Sequence, residues 1–229
     1  MGNAIVTGAS GNLGLAVVNK FLKEGYQVTG TVNQHEPKKV DTGNSKFDEV
    51  AIDLLDEGKA KVFVDRVIAR QKTIDVAVLT VGGFAAGKLA ETTSADVLKQ
   101  YKLNFETTYN VVRPVFNQMM QQGNGRIFII GSRPGLESRY GKGMIAYGFA
   151  KSLIFRLAEL MNDEAKGHNV VTSVVVPSTI DTPQNRKSMP DAKFENWVKP
   201  EAIADVIYFH CTEQANVLRE PVIKVYGNA

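Results

Sequence analysis

Short apolar runs rich in Val and Ile alternate along this chain with longer amphipathic stretches, and this alternation constrains the fold more than any other feature. The apolar runs predict strands at residues 3–7, 27–32, 49–52, 75–80, 126–130, 170–176 and 222–225. The stretches between them, with apolar residues three or four positions apart, predict helices at 13–24, 56–71, 94–122, 144–164 and 200–210. Because the strands lack polar alternation, helices should cover both sheet faces. We therefore predict an α/β fold, a doubly wound parallel sheet flanked by helices.

Length, charge and cysteine content exclude several classes of protein. The 229 residues suit a single domain (1–229), and no repeat or Pro/Gly-rich linker divides them. A net charge of only +3 provides no basic stripe for nucleic acid. No uncharged apolar run approaches the roughly 18 residues of a membrane span, so no membrane partner is expected. The single cysteine, Cys211, and three scattered histidines predict no disulfide and no metal site, and they favour a cytoplasmic location.

A glycine-rich segment, Thr7-Gly8-Ala9-Ser10-Gly11-Asn12-Leu13-Gly14, joins the first predicted strand to the first helix. Glycines at such a junction let the backbone approach a pyrophosphate, which the helix N-terminus then holds. We predict dinucleotide binding in a Rossmann-type sheet; the alternative is only a tight strand-to-helix connection. The expected cofactor contacts in this segment are Gly8, Ser10, Gly11, Asn12, Leu13 and Gly14.

The ends of the second and third strands bear on the choice of cofactor. Sites that prefer NAD usually place a carboxylate at the end of the second strand, where this chain has Val32 followed by Asn33. Two lysines, at 38 and 39, follow closely, so NADP(H) is favoured over NAD(H), although a lysine pair on a loop can simply be solvated. Asp53 is expected to accept a hydrogen bond from the adenine amino group, or else to cap the following helix.

Tyr147 and Lys151 stand four residues apart and therefore share one face of a predicted helix. A cation beside a phenol favours the phenolate and brings the phenol pKa closer to neutral pH, which suits proton transfer. This spacing alone is common on helix surfaces. Here, however, Ser132 ends the fifth predicted strand and Asn104 lies within the long helix before it.

The chain resembles the short-chain dehydrogenase/reductase family over its whole length. The resemblance lies in the order and spacing of Asn104, Ser132, Tyr147 and Lys151, and of the segments 81–83 and 177–183. The resemblance implies that Tyr147 donates or accepts the proton and that Lys151 holds the nicotinamide ribose and lowers the tyrosine pKa. It also implies that Ser132 orients the substrate and that Asn104 serves in proton relay.

The same resemblance extends to cofactor contacts at Gly82, Pro177, Ile180 and Thr182, the last two binding the nicotinamide carboxamide. Three departures from the family pattern are present. They are the spacing of Gly8, Gly11 and Gly14, a serine at 178 where glycine is usual, and Val81-Gly82 in place of Asn-Ala.

The irregular stretch 178–199 follows the sixth strand, where long loops usually serve a ligand, and we take it as the substrate loop. Its aromatic residues and Phe84 predict an apolar lid over a planar ring, with a cation of the loop near an acidic group; alternatively the aromatics pack on the sheet edge and the charges are solvated. The candidate residues are Phe84, Met189, Phe194, Trp197, Arg186 and Lys187.

The segments 81–87 and 181–197 also resemble the dihydropteridine reductases, which reduce quinonoid dihydropterin with a reduced nicotinamide. Those enzymes carry an acidic residue at the position of Val32 and lack the serine and asparagine found here at 132 and 104. The loop thus favours a pterin, whereas the catalytic set favours a carbonyl, whose developing alkoxide needs donors. We expect NAD(P)H-dependent hydride transfer to a C=O or C=N group of a small carbonyl or pterin-like substrate. The alternatives are a reductase of another ketone or aldehyde and a non-catalytic NAD(P)-sensing protein.

Two predicted helices carry few charges. The stretch 103–120 has only Glu106 and Arg113, and the stretch 146–161 has only Lys151, Arg156 and Glu159. A helix that is apolar over more than one face must be covered twice. We therefore expect these helices to form the contact of a homodimer or homotetramer, the alternative being deep burial within one subunit.

Overall fold

A computed structural model describes residues 2–228, which form one seven-stranded parallel sheet with helices on both faces. Its strands are β1 (Asn3–Thr7), β2 (Gln27–Asn33), β3 (Phe47–Ile52), β4 (Val76–Leu79), β5 (Asn124–Ile130), β6 (Asn169–Pro177) and β7 (Val222–Val225). They lie in the order β3-β2-β1-β4-β5-β6-β7, and every pairing is parallel. The predicted doubly wound sheet is confirmed.

The helices are α1 (Asn12–Lys23), α2 (Glu57–Gln71), α3 (Ser94–Tyr101), α4 (Thr107–Gln122), α5 (Arg133–Leu136), α6 (Ile145–Glu164), α7 (Pro183–Ser188) and α8 (Pro200–Phe209). Helices α2, α4 and α6 pack on one face of the sheet, and α1 and α8 pack on the other. Each face has its own apolar core, which explains why the strand sequences lack polar alternation. No helix among the described residues combines the length and the apolar character needed to cross a membrane.

The strand order reverses beside β1, because the chain continues from β1 to β2 and β3 and then crosses back to β4. In open parallel sheets such a reversal leaves a crevice at the carboxyl ends of the two strands, where ligands bind. Here the two strand ends are joined by hydrogen bonds: Thr80 Oγ1 donates to the carbonyl of Thr7 (2.7 Å), and the Thr80 N–H donates to Thr7 Oγ1 (3.1 Å).

The predicted helix at 94–122 is wrong in one respect, because it is not continuous. A π-helical turn at Lys102–Glu106 separates α3 from α4, and within it the N–H of Thr107 bonds to the carbonyl of Lys102. A π-turn inserts an extra residue into the helix and is frequently found at functional sites. It also changes the direction of the side chains that follow, and Asn104 stands in the middle of it.

Helix α2 is capped by Asp56 and not by Asp53. The Asp56 carboxylate accepts the N–H of Lys59 (2.9 Å), which satisfies one of the free donors in the first turn. The alternative reading of Asp53 as the cap of this helix is therefore wrong. Two further short helices, α5 and α7, were not predicted.

Candidate active site

The glycine-rich segment brings the start of α1 close to the end of β1. Gly8 has a positive φ of 68°, and its carbonyl accepts the N–H of Gly11 (2.9 Å). A Cβ on Gly14 would lie 2.1 Å from the Gly8 carbonyl oxygen, so only glycine allows this close approach. Gly11 is the N-cap of α1 and provides no side-chain hydrogen bond, which leaves the first amides of the helix for an anion.

The neighbouring predicted contacts differ in how they could reach a ligand. Ser10 is partly buried and Asn12 is exposed, whereas the side chain of Leu13 packs in the core beside α8. Leu13 can therefore contact a dinucleotide only through its backbone. Together these residues form a cradle that fits a pyrophosphate, with the positive end of the α1 dipole facing it.

At the end of β2, Val32 is buried and Asn33 is the first exposed residue. Asn33 Oδ1 accepts the N–H of His35 (3.0 Å), and the His35 ring lies 3.4 Å from the Asp53 carboxylate. The N–H of Leu55 also donates to Asp53 (3.0 Å), and this bond, more than the contact with His35, lowers the pKa of Asp53. The sequence analysis did not identify His35, since it lies in an irregular segment without a motif.

Asn104 fastens the loop that follows β4. Its Oδ1 accepts the N–H of Gly83 (3.0 Å), and its Nδ2 donates to the carbonyl of Gly83 (2.9 Å) and to Gln100 Oε1 (3.0 Å). Both Asn104 and Gln100 are buried. The carboxamide of Asn104 thus holds this loop through both its oxygen and its nitrogen. Gln100 was missed by the sequence analysis, although it stands four residues before Asn104 and so lies on the same helix face.

Ser132 is the N-cap of α5, the single helical turn that follows β5. Its Oγ accepts the N–H of Gly135 (3.2 Å), and its side chain is also hydrogen-bonded to Tyr147. Because the Gly135 amide occupies an acceptor position on Oγ, the hydroxyl hydrogen is free to point toward Tyr147. The two predicted catalytic hydroxyls are therefore adjacent.

Tyr147 and Lys151 lie on the first turns of α6. Burial raises the pKa of the Tyr147 phenol, and the hydrogen bond with Ser132 opposes that rise. Lys151 is buried and its Nζ donates to the carbonyl of Ile130 at the end of β5 (2.7 Å). Burial lowers the pKa of Lys151 to about 8. The lowering of the Tyr147 pKa by Lys151 stays a prediction.

Gly82 lies between Asn104 and Lys151. A Cβ at this position would be 2.7 Å from Asn104 Oδ1 and 3.3 Å from Lys151 Nζ. The missing side chain therefore leaves room where the loop after β4 meets α6.

The predicted contact Pro177 is the last residue of β6. The N–H of the next residue, Ser178, donates to the carbonyl of Val225 (3.0 Å) and holds the start of the substrate loop against β7.

Phe84 covers the exposed side of Tyr147. The two rings meet edge to face with their centroids 5.2 Å apart, and the Phe84 side chain remains 61% exposed. The loop that carries Phe84 is attached to the start of α6, because the N–H of Gly87 donates to the carbonyl of Gly143 (2.7 Å). Phe84 and Tyr147 therefore form one aromatic surface next to Ser132.

The substrate loop 178–199 is closed by hydrogen bonds between its own ends. The N–H of Asp181 donates to the carbonyl of Val198 (2.8 Å), and Ile180 pairs with Val198 in a parallel bridge. Thr182 caps α7 by accepting the N–H of Asn185 (3.1 Å). The predicted carboxamide contacts, Ile180 and Thr182, thus belong to an ordered segment.

The predicted substrate residues of this loop have different surroundings. Met189 is exposed and Trp197 is partly buried. Arg186 forms a two-pronged ion pair with Asp181, at 2.6 and 2.8 Å. Its contact with an acidic group of a ligand stays a prediction. Within residues 2–228, no group of His, Cys, Asp and Glu side chains could hold a metal ion.

Comparisons with known proteins agree with this geometry. A sequence profile of the short chain dehydrogenase family matches residues 2–193. The chain is 26% identical to a 3-oxoacyl-[acyl-carrier-protein] reductase of Thermotoga maritima, over 97% of this chain and 95% of the relative. It is 27% identical to a dihydropteridine reductase of Dictyostelium discoideum, over 90% of this chain and 86% of the relative.

Among solved structures, a ligand-free aldohexose dehydrogenase of Thermoplasma acidophilum has the same fold. The TM-score is 0.83 at 21% identity, with 99% of this chain and 93% of the other covered. The profile match spans most of the chain and includes the glycine-rich segment, the Tyr147 and Lys151 pair and Ser132. The chain belongs to the short-chain dehydrogenase family and is an oxidoreductase of that family.

Proposed function

We propose that this protein is an NAD(P)H-dependent reductase that transfers hydride to a C=O or C=N group, with Tyr147 supplying the proton. The observation that carries the proposal is the hydrogen-bonded pair of Ser132 and Tyr147 beside the buried Lys151. All three lie at the carboxyl edge of the sheet, where the glycine-rich segment begins at the end of β1. A non-catalytic sensor of NAD(P) would need no such pair of hydroxyls.

The cradle between Gly8 and Gly14 fits a dinucleotide, because it has a close glycine contact and free amides at the start of α1. Asn33 and Asp53 would hold the adenosine end, and Pro177, Ile180 and Thr182 would contact the nicotinamide end. When bound, the reduced nicotinamide supplies the hydride. The protein's own contribution is to position the reacting groups and to control the proton.

Ser132 donates a hydrogen bond toward the substrate oxygen or nitrogen and keeps it beside the Tyr147 hydroxyl. Tyr147 then gives its proton to that atom, while the single hydroxyl hydrogen of Ser132 stays directed at the substrate. Lys151, whose Nζ bonds to the Ile130 carbonyl at the end of β5, would stabilise negative charge that develops near Ser132 and would hold the nicotinamide ribose. Asn104 holds the Gly83 loop and, with Lys151, provides the route by which Tyr147 is reprotonated.

For the substrate, quinonoid dihydropterin is the first candidate. The exposed face of Phe84 and the ordered loop 178–199 provide flat apolar surface for a planar ring. The resemblance of this loop to dihydropteridine reductases and the 27% identical relative support this choice. A ketone or aldehyde is the second candidate, because Asn104 and Ser132 are both present and one relative is a 3-oxoacyl reductase.

The decisive assay measures oxidation of NADH and NADPH with quinonoid dihydropterin and with a panel of small ketones and aldehydes. Since reduced nicotinamides can reduce the quinonoid ring without an enzyme, a Tyr147→Phe variant at equal concentration gives the background. Turnover of the pterin above that background, with little turnover of the ketones, supports the first candidate. The reverse pattern supports the second, and no turnover of any compound by the wild type contradicts the proposed function.

We propose NADP(H) as the preferred cofactor. No carboxylate stands at Val32, and the nearby Asp53 is engaged by the Leu55 amide and by His35, which reduces its repulsion of a 2′-phosphate. Lys38 and Lys39 are exposed in the following segment and add positive charge. Titrating the protein with 2′,5′-ADP and with 5′-AMP tests this preference, and tighter binding of 5′-AMP would contradict it.

We also propose a homodimer or homotetramer formed through the helices at 103–120 and 146–161. On α6 the side chains of Phe149, Leu153 and Leu160 remain exposed, and Tyr109 on α4 adds to this apolar surface.

The proposed location is the cytoplasm. Cys211 is a free cysteine, which fits a reducing compartment.

A further inference from the structure

The ion pair between Arg186 and Asp181 lies in the first half of the substrate loop and joins the start of the loop to α7. Arg186 is on α7, and Asp181 stands between the two residues proposed to contact the nicotinamide carboxamide, Ile180 and Thr182. The Asp181 side chain is only 13% exposed, whereas that of Arg186 is 52% exposed. Arg186 Nε and Nη2 bond to the two carboxylate oxygens separately, so the guanidinium plane is fixed in orientation.

The fixed guanidinium also contacts the aromatic part of the loop. Its central carbon lies 4.8 Å from the centroid of the Phe194 ring. Phe194 in turn packs against Trp197, with a centroid separation of 4.8 Å. A continuous series of contacts therefore runs from Asp181 through Arg186 and Phe194 to Trp197.

Backbone hydrogen bonds also attach the aromatic part of the loop to its first residues. Val198 follows Trp197 directly, and its N–H and carbonyl bond to Thr179 and Asp181 (3.0 and 2.8 Å). The aromatic residues are thus attached to the cofactor side of the loop twice, once through the Val198 backbone and once through the Arg186 side chain. Only the second attachment depends on charge.

We infer that Arg186 is a positioning residue, which with Asp181 holds Phe194 and Trp197 in place over the site, and that it is not a ligand of the substrate. This inference rests on the proposed function, because it assumes that the loop 178–199 covers the substrate. It replaces the expectation that the guanidinium meets an acidic group of the ligand. Asp181 occupies the Nε and Nη2 donors and neutralises the guanidinium charge, so a carboxylate of the ligand would be attracted less strongly.

Trp197 is the only tryptophan in the chain, so its fluorescence reports on this loop alone. We expect Arg186→Gln to make Trp197 more accessible to acrylamide quenching in the protein without cofactor or substrate. Asp181→Asn should have the same effect, and the double variant should exceed neither single variant, because both changes break one contact. Arg186→Lys should fall between wild type and Arg186→Gln, since an ammonium keeps the charge but not the planar fork.

The control is Lys193→Gln, which removes an exposed cation from another position of the same loop. Lys193 takes part in none of the ion pairs found within residues 2–228, so Trp197 quenching should remain at the wild-type level. In turnover assays Arg186→Gln should raise KM about fivefold, the scale of a half-exposed ion pair, with kcat less affected. Asp181→Asn should raise KM similarly, whereas Lys193→Gln should not.

Two results would overturn the inference. In the first, KM rises in Arg186→Gln while Trp197 quenching is unchanged, which would make the guanidinium a direct substrate contact. In the second, neither quantity differs from that of Lys193→Gln, which would make the ion pair irrelevant to the loop. Failure of the proposed function has a different signature, because the quenching experiment uses the unliganded protein and requires no turnover.

Discussion

Gly135 packs so closely against Lys151 that a Cβ on the glycine would lie 2.6 Å from the Cβ of Lys151 and 2.7 Å from its carbonyl carbon. Gly135 belongs to α5, the turn capped by Ser132, and Lys151 belongs to α6. One contact therefore sets the separation of the elements that carry Ser132, Tyr147 and Lys151. The relative position of the catalytic groups depends on the absence of a single methyl group.

Gly135→Ala is expected to push α5 away from α6. Overpacking against backbone atoms costs about 1–3 kcal/mol of unfolding free energy. It should also lower kcat about tenfold or more, because small misplacements of catalytic groups are costly. Denaturant unfolding and steady-state kinetics measure the two effects. The control is Gly148→Ala on α6, whose added Cβ would meet only Pro134 O at 3.6 Å; if both variants behave alike, the Gly135 contact is not decisive.

Tyr147→Phe removes the proposed proton donor but keeps the ring that packs against Phe84. Turnover should fall by about 10²–10⁴-fold, the usual contribution of a general acid. NAD(P)H binding, followed by cofactor fluorescence, should be nearly unchanged. Tyr140→Phe removes a hydroxyl from a tyrosine that is 38% exposed and outside the site, and should keep wild-type rates. Wild-type turnover in Tyr147→Phe would contradict the proposed mechanism.

The buried ammonium of Lys151 should make stability depend on alkaline pH. Burial lowers its pKa from 10.5 to about 8, so between these values the unfolded chain binds a proton that the folded chain has released. The free energy of unfolding attributable to Lys151 therefore rises as the pH increases through this window. Below it the charged, buried group costs on the order of 3 kcal/mol.

The measurement compares wild type with Lys151→Met by denaturant unfolding across this pH window. The stability of the Met variant relative to wild type should fall as the pH rises, because only wild type sheds the penalty of a buried charge. Loss of the bond to the Ile130 carbonyl shifts the variant by a constant amount and leaves the slope intact. Lys142→Met, at an exposed lysine, is the control, and a constant difference for Lys151→Met would refute the prediction.

Asn104→Ala should release the loop after β4 by removing the hydrogen bonds to both backbone groups of Gly83. Leaving buried polar groups without partners costs about 1–3 kcal/mol each. If the substrate is a ketone, turnover should fall strongly, because proton relay is also lost; if it is quinonoid dihydropterin, the fall should be smaller. Asn162→Ala, which breaks a side-chain contact with β6 far from the site, controls for general destabilisation. Equal losses in both variants would assign Asn104 a structural role only.

Phe149→Glu is expected to disrupt the proposed subunit contact, because the side chain is 60% exposed on α6 and a buried interface does not accept an unpaired charge. Sedimentation should show the variant shifted to smaller species. Val62→Glu makes the same change on α2, at a side chain 57% exposed, and should leave the assembly intact. A monomeric wild type would refute the assembly proposal itself.

Sequence reasoning was most successful where the signal is periodic or strictly spaced. The strands were predicted correctly because both sheet faces are buried, which makes each strand an apolar run. Tyr147 and Lys151 were paired by their four-residue spacing on a helix, Ser132 was placed at the carboxyl edge of the sheet, and the family resemblance grouped the three. Asp53 illustrates the limit: two aspartates three residues apart are equally plausible caps in a sequence, and only the course of the backbone selected Asp56.

The sequence by itself determined the doubly wound sheet, the glycine-rich segment and the order of the catalytic residues, since each depends on local pattern or spacing. Only the tertiary structure decided that the long helix breaks into a π-turn around Asn104, that Asn104 holds the Gly83 loop, and that Arg186 pairs with Asp181. These features depend on which side chains and backbone atoms meet after packing. Hydrogen bonds and ion pairs form over a few ångströms, and no periodicity in the chain encodes such distances.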